Sequence, residues 1–300
     1  MKHFLSIDDL KVEDIKSIFN ITERLKSSSK TLLRIGQQHN MLNGRTMAMI
    51  FAKPSTRTRV SFEVAMQQLG GNAIFLGMND IQLGRGESIK DTAQVLSRYV
   101  HVIMARLFAH EDLLELARYS SVPVINGLTD LLHPCQITAD MYTLQEKFGK
   151  LEGLKLAYVG DGENNITHSL INASKKLGIE MTVGCPTGYK PRKEILEGSN
   201  VKVVKDPVQA VTGADVVYTD TWVSMGDKKA KKRIKDLKPY QVNSKLISHA
   251  KPKAVVMHDL PAHRGNEITD EVMDGDQSII LDQAENRLHV QKGILAWLIG

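Results

Sequence analysis

Residues 55–59 read Ser55-Thr56-Arg57-Thr58-Arg59, between an apolar run of strand character (Thr46–Phe51) and a run of helical character over 60–69. A strand that turns directly into a helix leaves the first helical N–H groups pointing into the turn, where the helix dipole favours negative charge. Ser55, Thr56 and Thr58 add hydroxyl donors, and Arg57 adds a planar fork matched to two phosphate oxygens. The competing reading is an ordinary capped surface turn, with Ser55 as N-cap and the arginines in solvent. Two arginines at a helix N-terminus oppose the dipole, however, and a bound phosphate removes that conflict. We therefore expect an anion site. Other phosphate loops are excluded, because the chain has no G-x-x-x-x-G-K-[ST] run and no G-x-G-x-x-G opening a helix after a strand.

Three further constellations carry chemistry. His133-Pro134-Cys135-Gln136 precedes a helical run, and His133 and Gln136, with Arg106, supply donors able to polarise a carbonyl oxygen. Asp220-Thr221-Trp222-Val223-Ser224-Met225-Gly226 puts a carboxylate and a hydroxyl in one loop, where a small substrate's ammonium and carboxylate groups could be held; Asp220 as a simple N-cap is an equal alternative. Asn164-Asn165 at a helix start is ambiguous in the same way. His258-Asp259-Leu260-Pro261 follows an apolar strand and brings a second carboxylate to a strand end, while Arg287, in the last helix, would otherwise be a surface arginine.

Positioning these residues requires parallel α/β architecture. Ile15, Ile18, Phe19 and Leu25 recur at helical spacing near the start. Short β-rich runs at 46–51, 72–76, 101–105 and 122–125 then alternate with helical stretches at 57–69, 91–99 and 111–118. After a helical run at 136–148 the alternation resumes with strands at 155–159, 181–185, 201–204, 215–219, 254–258 and 278–281. This predicts two successive parallel-sheet α/β domains, over 1–148 and 149–283, with a C-terminal helix over 284–300. In open parallel sheets ligands bind beyond the carboxyl ends of the strands. The residues just after the strands here are Ser55 to Arg59, Arg106, Asn126, Gly160-Asp161-Gly162, Asp220 and His258-Asp259, so an active-site cleft between the domains is expected.

The 300 residues, 42% hydrophobic and 24% charged, are those of a soluble globular chain. No apolar run approaches the ~20 residues of a membrane span, and the N-terminus lacks a signal-peptide core, so a cytoplasmic protein with no membrane partner is expected. Cys135 and Cys185 are too few for a disulfide framework or a zinc site and are read as buried thiols. The net charge of +5 says little about nucleic acid. The basic stretch Lys228-Lys229-Ala230-Lys231-Lys232-Arg233 lacks interleaved aromatics and is read as a solvated face, with no nucleic-acid partner.

In order and spacing these motifs resemble the ornithine carbamoyltransferases, within the wider aspartate/ornithine carbamoyltransferase family. The resemblance runs from Ser55-Thr56-Arg57-Thr58-Arg59 through His133-Pro134-Cys135-Gln136, Asp161-Gly162-Glu163-Asn164-Asn165, Asp220 with Ser224-Met225-Gly226, and His258-Asp259-Leu260-Pro261 to Glu285-Asn286-Arg287. It implies transfer of the carbamoyl group of carbamoyl phosphate to the δ-amine of L-ornithine, giving L-citrulline and phosphate, with no cofactor and no metal. Ser55, Thr56, Arg57 and Thr58 would bind phosphate; Arg106, His133 and Gln136 would hold the carbamoyl group, supported by Asp259, Leu260 and Arg287. Asn165, Asp220, Ser224 and Met225 would contact ornithine. Gln82 matches a position that reaches a neighbouring subunit's site, which implies a homotrimer or a multiple of trimers. The first domain would take carbamoyl phosphate, the second ornithine, and the C-terminal helix would cross back to the first.

The family carries cysteine at the position of Asp259, and more mixed charge where this chain has its basic stretch. The carboxylate of Asp259 would join Asp220 in holding an ammonium and take or relay its proton, or else repel the phosphate dianion. Two rivals follow: a carbamoyltransferase for another amine, such as putrescine or an N-acylated ornithine, and a catalytically impaired homologue that only binds. A dinucleotide oxidoreductase is a distant third, because Gly160-Asp161-Gly162 lacks the third glycine of that fingerprint.

Overall fold

The computed structural model describes residues 2–34, 39–223 and 230–300. These divide into two compact units, residues 1–142 with 286–300 and residues 143–285. The divisions fall inside the helices Pro134–Phe148 and Ile280–Ile299.

The first unit is built on β1 (Thr46–Phe51), β2 (Asn72–Gly77), β3 (Val102–Arg106) and β4 (Val124–Leu128), all parallel, in the order β2-β1-β3-β4. The central strands are apolar without alternation and buried along nearly their whole length, as a parallel sheet covered on both faces requires. The edge strand β2 is largely half-exposed. Phe4 pairs with Ile125 beside β4, and its amide donates to the Val124 carbonyl at 2.8 Å. The opening helix, Val12–Arg34, buries Ile15, Ile18 and Leu25, in agreement with the helical spacing. The C-terminal helix, Ile280–Ile299, lies against this opening helix from Asn286 onward. Asn286 Oδ1 accepts from Lys26 Nζ at 2.8 Å, and Gly293 sits so close that a Cβ there would come within 3.0 Å of the Ile18 carbonyl oxygen. Lys292, fully buried, donates to Gln68 Oε1 at 3.0 Å.

The second unit holds β5 (Lys155–Val159), β6 (Glu180–Gly184), β7 (Lys202–Val204), β8 (Val216–Thr219) and β9 (Val255–His258), parallel and ordered β7-β6-β5-β8-β9. Ala157, Val159, Val217 and Val256 contribute to its core. The apolar run at 278–281 is not a strand. Only Ser278 bridges to Val256, between two backbone hydrogen bonds, and the helix begins at Ile280, four residues before the start expected at 284. Pairing at a single residue cannot compete with the helical hydrogen bonds available to the apolar residues that follow.

In both sheets the winding reverses once: between β1 and β3 in the first, between β5 and β8 in the second. Such switch points open a crevice at the carboxyl ends of the strands. The chemistry-bearing loops follow these strands.

Candidate functional site

At the first switch point, Ser55 caps the helix Thr56–Gln68 and its hydroxyl accepts from the Thr58 amide at 3.2 Å. No acidic residue occupies the first turn of this helix. The two arginines are treated differently. Arg59 is engaged, with Nε 3.0 Å from Glu63 Oε1 and its guanidinium 3.9 Å from the centre of the Phe75 ring. Arg57 is half-buried, and its guanidinium forms no hydrogen bond or ion pair among the described residues. The loop thus leaves one planar cation beside the free amides of the helix terminus, as anion binding requires.

Arg106 ends β3 and is buried; its Nε donates to the Lys53 carbonyl at 3.1 Å, which fixes the guanidinium beside the same loop. A bulge in the β3–β4 pairing sets in at this point, so Ala105 faces Asn126 but Arg106 faces Leu128. His133 stands one residue before the helix Pro134–Phe148, whose first position is the proline suited to it. Burial, reinforced by Arg287, Arg106 and Lys53, holds the His133 imidazole well below its ordinary pKa. It is therefore a neutral hydrogen-bond donor at physiological pH.

Arg287 is a buried member of this cluster and no surface residue. It is 3% exposed, donates through Nη2 to Thr58 Oγ1 at 3.2 Å, and donates through Nη1 to Gln136 Oε1. Gln136 in turn donates to the buried Asp140 carboxylate at 2.8 Å. The amide of Gln136, expected to face a carbonyl group, thus spends its oxygen and one N–H on internal partners. Through these two bonds it orients Arg287 against Thr58, and its second amide N–H is used by neither of them. Asp140 gave no sequence signal, since a lone aspartate in a helix is ordinarily solvated. Gln82 is exposed in the short 3-10 turn Gln82–Arg85, apart from this network.

At the second switch point, Asp220 follows β8 and is buried. Its Oδ1 accepts from the Thr221 amide at 2.5 Å and its Oδ2 from Asn164 Nδ2 at 3.3 Å; it caps no described helix. Asn164 is the N-cap of the helix Asn165–Leu177, accepting from the Thr167 amide at 2.7 Å while donating to the Tyr158 hydroxyl at 2.8 Å. Asn165 is the first helical residue. Ser224 and Met225 lie outside the described residues, as do Gly226, Lys228 and Lys229.

Asp259 lies beside Asp220. A carboxyl oxygen of Asp259 and one of Asp220 lie within 4.8 Å of each other, and Asp259 Oδ1 is 3.7 Å from His258 Nδ1. Leu260, the one non-glycine residue with positive φ among the described residues (60°), directs its N–H onto His258 Nδ1 at 2.9 Å. His258 Nδ1 is therefore the acceptor nitrogen, and its Nε2 faces Glu267 Oε1 at 3.3 Å. Asp220, His258 and Asp259 bring candidate metal-ligating atoms within 4.8 Å of one another. Yet the imidazole lone pair that would face an ion already accepts from Leu260, so the donor set is a poor fit to a cation.

Arg233 departs from the expected solvated face. It pairs with the buried Asp161 carboxylate, donates to the Trp222 carbonyl at 2.8 Å, and lies 5.2 Å from the Tyr189 ring centre. Lys231 and Lys232 are exposed as expected. Burial raises the Asp161 pKa to about 6, against the opposing pull of Arg233. Both cysteines are buried free thiols, with burial raising Cys135 to about 12 and Cys185 to about 11. No helix among the described residues is long and apolar enough to cross a membrane.

Comparison with known proteins matches this arrangement over the whole chain. Residues 2–146 match the carbamoyl-P binding domain of aspartate/ornithine carbamoyltransferase, and residues 152–298 match the Asp/Orn binding domain. An ornithine carbamoyltransferase from Methanoculleus marisnigri is 54% identical over 99% of this chain and 97% of its own length. A Pyrococcus furiosus protein named "Ornithine carbamoyltransferase, anabolic" is 50% identical over 100% of this chain and 96% of its own length. The solved structure of ornithine carbamoyltransferase from Pyrococcus furiosus superposes with a TM-score of 0.94, at 50% identity, covering 100% of this chain and 97% of that one. The chain belongs to the aspartate/ornithine carbamoyltransferase family.

Proposed function

We propose that the protein transfers the carbamoyl group of carbamoyl phosphate to the δ-amine of L-ornithine, giving L-citrulline and phosphate. The observation that carries this reading is the full-length likeness, at about half of all positions, to proteins named ornithine carbamoyltransferase. The acceptors putrescine and N-acylated ornithine, and the silent homologue, are not favoured by it. The "anabolic" name of one relative favours the synthetic direction, toward citrulline and arginine biosynthesis.

In this reading residues 1–148 and 284–300 serve carbamoyl phosphate and residues 149–283 serve ornithine. Ser55, Thr56, Arg57 and Thr58 hold the phosphate. Arg106 and neutral His133 hydrogen-bond the carbonyl oxygen and strengthen those bonds as it becomes an oxyanion. Gln136 and Arg287 keep Thr58 in place, and Leu260 contributes to the carbamoyl pocket. Asn165, Asp220, Ser224 and Met225 contact ornithine, with Asp259 at the amine end. The δ-ammonium has an intrinsic pKa near ~10.4, so the nucleophile is the deprotonated minority species. The amine nitrogen bonds to the carbonyl carbon, the C–O bond to phosphate breaks, and the surplus amine proton leaves. Arginines supply the positive charge the departing phosphate needs. We further propose a homotrimer, with Gln82 reaching a neighbouring subunit's site; the half-exposed edge strand β2 and exposed Val60 and Ile74 suit such a contact. A cytoplasmic location accords with two free thiols.

The test is citrulline formation from carbamoyl phosphate with ornithine, putrescine, acetylornithine or aspartate as acceptor. Turnover dependent on ornithine is expected, and its absence overturns the proposal.

A further inference from the structure

Asp220 and Asn164 stand on different loops, one after β8 and one at the start of the helix Asn165–Leu177, and they meet where Asn164 Nδ2 donates to Asp220 Oδ2 at 3.3 Å. Each is displaced if its loop moves. Two residues past Asp220, the buried Trp222 indole rests on the Gly160 backbone, where a Cβ would lie 3.1 Å from Trp222 Nε1. The turn that carries Asn164 is braced by Asp161, whose Oδ1 accepts from the Glu163 amide at 3.0 Å and whose carbonyl accepts from the Thr167 hydroxyl at 3.3 Å. Arg233, in the helix Ala230–Leu237, reaches both loops with one guanidinium: Nε donates to the Trp222 carbonyl at 2.8 Å, and Nη2 donates to Asp161 Oδ2. The guanidinium is held in its turn. The Tyr189 ring centre lies 5.2 Å from it, and the Tyr189 hydroxyl donates to Asp236 Oδ2 on the same helix at 3.0 Å.

We infer that Arg233 is a positioning residue for the amino-acid substrate: by tying the Trp222 carbonyl to the Asp161 carboxylate it fixes the separation of the two loops, and with it the places of Asp220 and Asn165 against ornithine. This inference rests on the ornithine reading above and deepens it. Arginine suits the task because Nε and Nη2 diverge within one rigid plane, so two acceptors on separate loops are held at a set spacing. A lysine ammonium pairs with Asp161 but brings a single nitrogen, which cannot stand at both positions. Both bonds fall within the second unit, so losing them falls on the amino acid and not on carbamoyl phosphate.

The test is steady-state citrulline formation by the full-length protein carrying Arg233→Gln, with each substrate varied in turn at saturation of the other and thermal unfolding run on the same samples. A positioning group displaced by about 1 Å costs on the order of a hundredfold, so the KM for ornithine is expected to rise about tenfold or more. The KM for carbamoyl phosphate is expected to stay within about twofold of the unaltered value. Where Arg233→Gln does not fold, Arg233→Lys, which keeps a cation beside Asp161, is measured against the same outcomes. An ornithine KM within about twofold of the unaltered value overturns the inference whatever kcat does, because a lower kcat at unchanged KM reports only a smaller folded fraction. An equal rise in both KM values overturns it as well. Failure of the parent reading looks different: the unaltered protein then forms no citrulline from ornithine, and the inference falls with it.

Discussion

Arg57→Gln is expected to separate function from stability with opposite signs. In the folded protein the Arg57 guanidinium has no hydrogen-bonding or ion-pair partner among the described residues, so its loss removes no internal bond. It lies in the first turn of the helix Thr56–Gln68, where a cation opposes the dipole. Its removal should stabilise by roughly 0.3–1 kcal/mol at low salt. On the proposed reading, the same guanidinium makes charge-assisted contacts to the phosphate oxygens of bound carbamoyl phosphate. Each such bond contributes about 1.5–3 kcal/mol, and a half-buried position trims the total, leaving roughly 3 kcal/mol. That corresponds to about a hundredfold or more in kcat/KM, and a loss confined to kcat would place the contact in the transition state alone. The assay is steady-state citrulline formation with carbamoyl phosphate varied at saturating ornithine, with thermal unfolding run on the same samples. Activity within about threefold of the unaltered protein refutes the phosphate role. A Tm lowered by several degrees refutes the claim that Arg57 has no structural duty. Arg59→Gln is the control: it loses the Glu63 and Phe75 contacts, so a small loss of stability and a lesser loss of activity are expected.

Gln136→Leu strips the buried Arg287 guanidinium of an acceptor and Asp140 of a donor, which should cost about 2–4 kcal/mol by urea unfolding and raise the KM for carbamoyl phosphate; an unaltered KM would mean that Arg287 does not position Thr58. Lys292 is buried with its pKa lowered to about 8, so the folded protein binds fewer protons than the unfolded chain between pH 8 and 10.5 and is stabilised as pH rises through that window. Against Lys292→Met the unaltered protein should therefore gain on the order of 3 kcal/mol from pH 7.5 to pH 10.5, whereas parallel stability curves would contradict the burial argument. Asp161 has the opposite sign: its folded pKa of about 6 lies above the unfolded value, so its contribution is full below pH 4 and is lost as pH rises through 6. Arg233→Gln removes the opposing cation and should cost roughly 2 kcal/mol at pH 8 but less than half of that at pH 5, measured by urea unfolding; an equal cost at both pH values would show that the ion pair is not what holds Asp161 ionised.

Much of this protein is legible in its sequence because local physics writes it there. Continuous apolar runs without alternation mark β1, β3 and β5 as buried parallel strands, and a strand-to-helix turn rich in hydroxyls and arginine has the chemistry of an anion site whatever surrounds it. The motif order Ser55 to Arg287 carried the family, because loops after parallel strands meet at switch points regardless of intervening length. What local physics does not record is the partner of each side chain. The sequence singles out Arg57 for phosphate but does not show that Arg59 is engaged by the approach of Phe75 as well as by Glu63 one turn on. It gives no sign that Gln136 also holds Arg287, 151 residues away, because that distance is closed only by the final helix packing into the first unit. It reads 278–281 as a strand because an apolar tetrapeptide has no intrinsic preference strong enough to resist its neighbours. It gives no sign of Glu267 behind His258, or of Arg233 folded onto Asp161, since an acid or a base is costly to bury until a long-range partner is present. The kinds of chemistry were thus set residue by residue along the chain, and the tertiary structure alone assigned which charged groups hold one another.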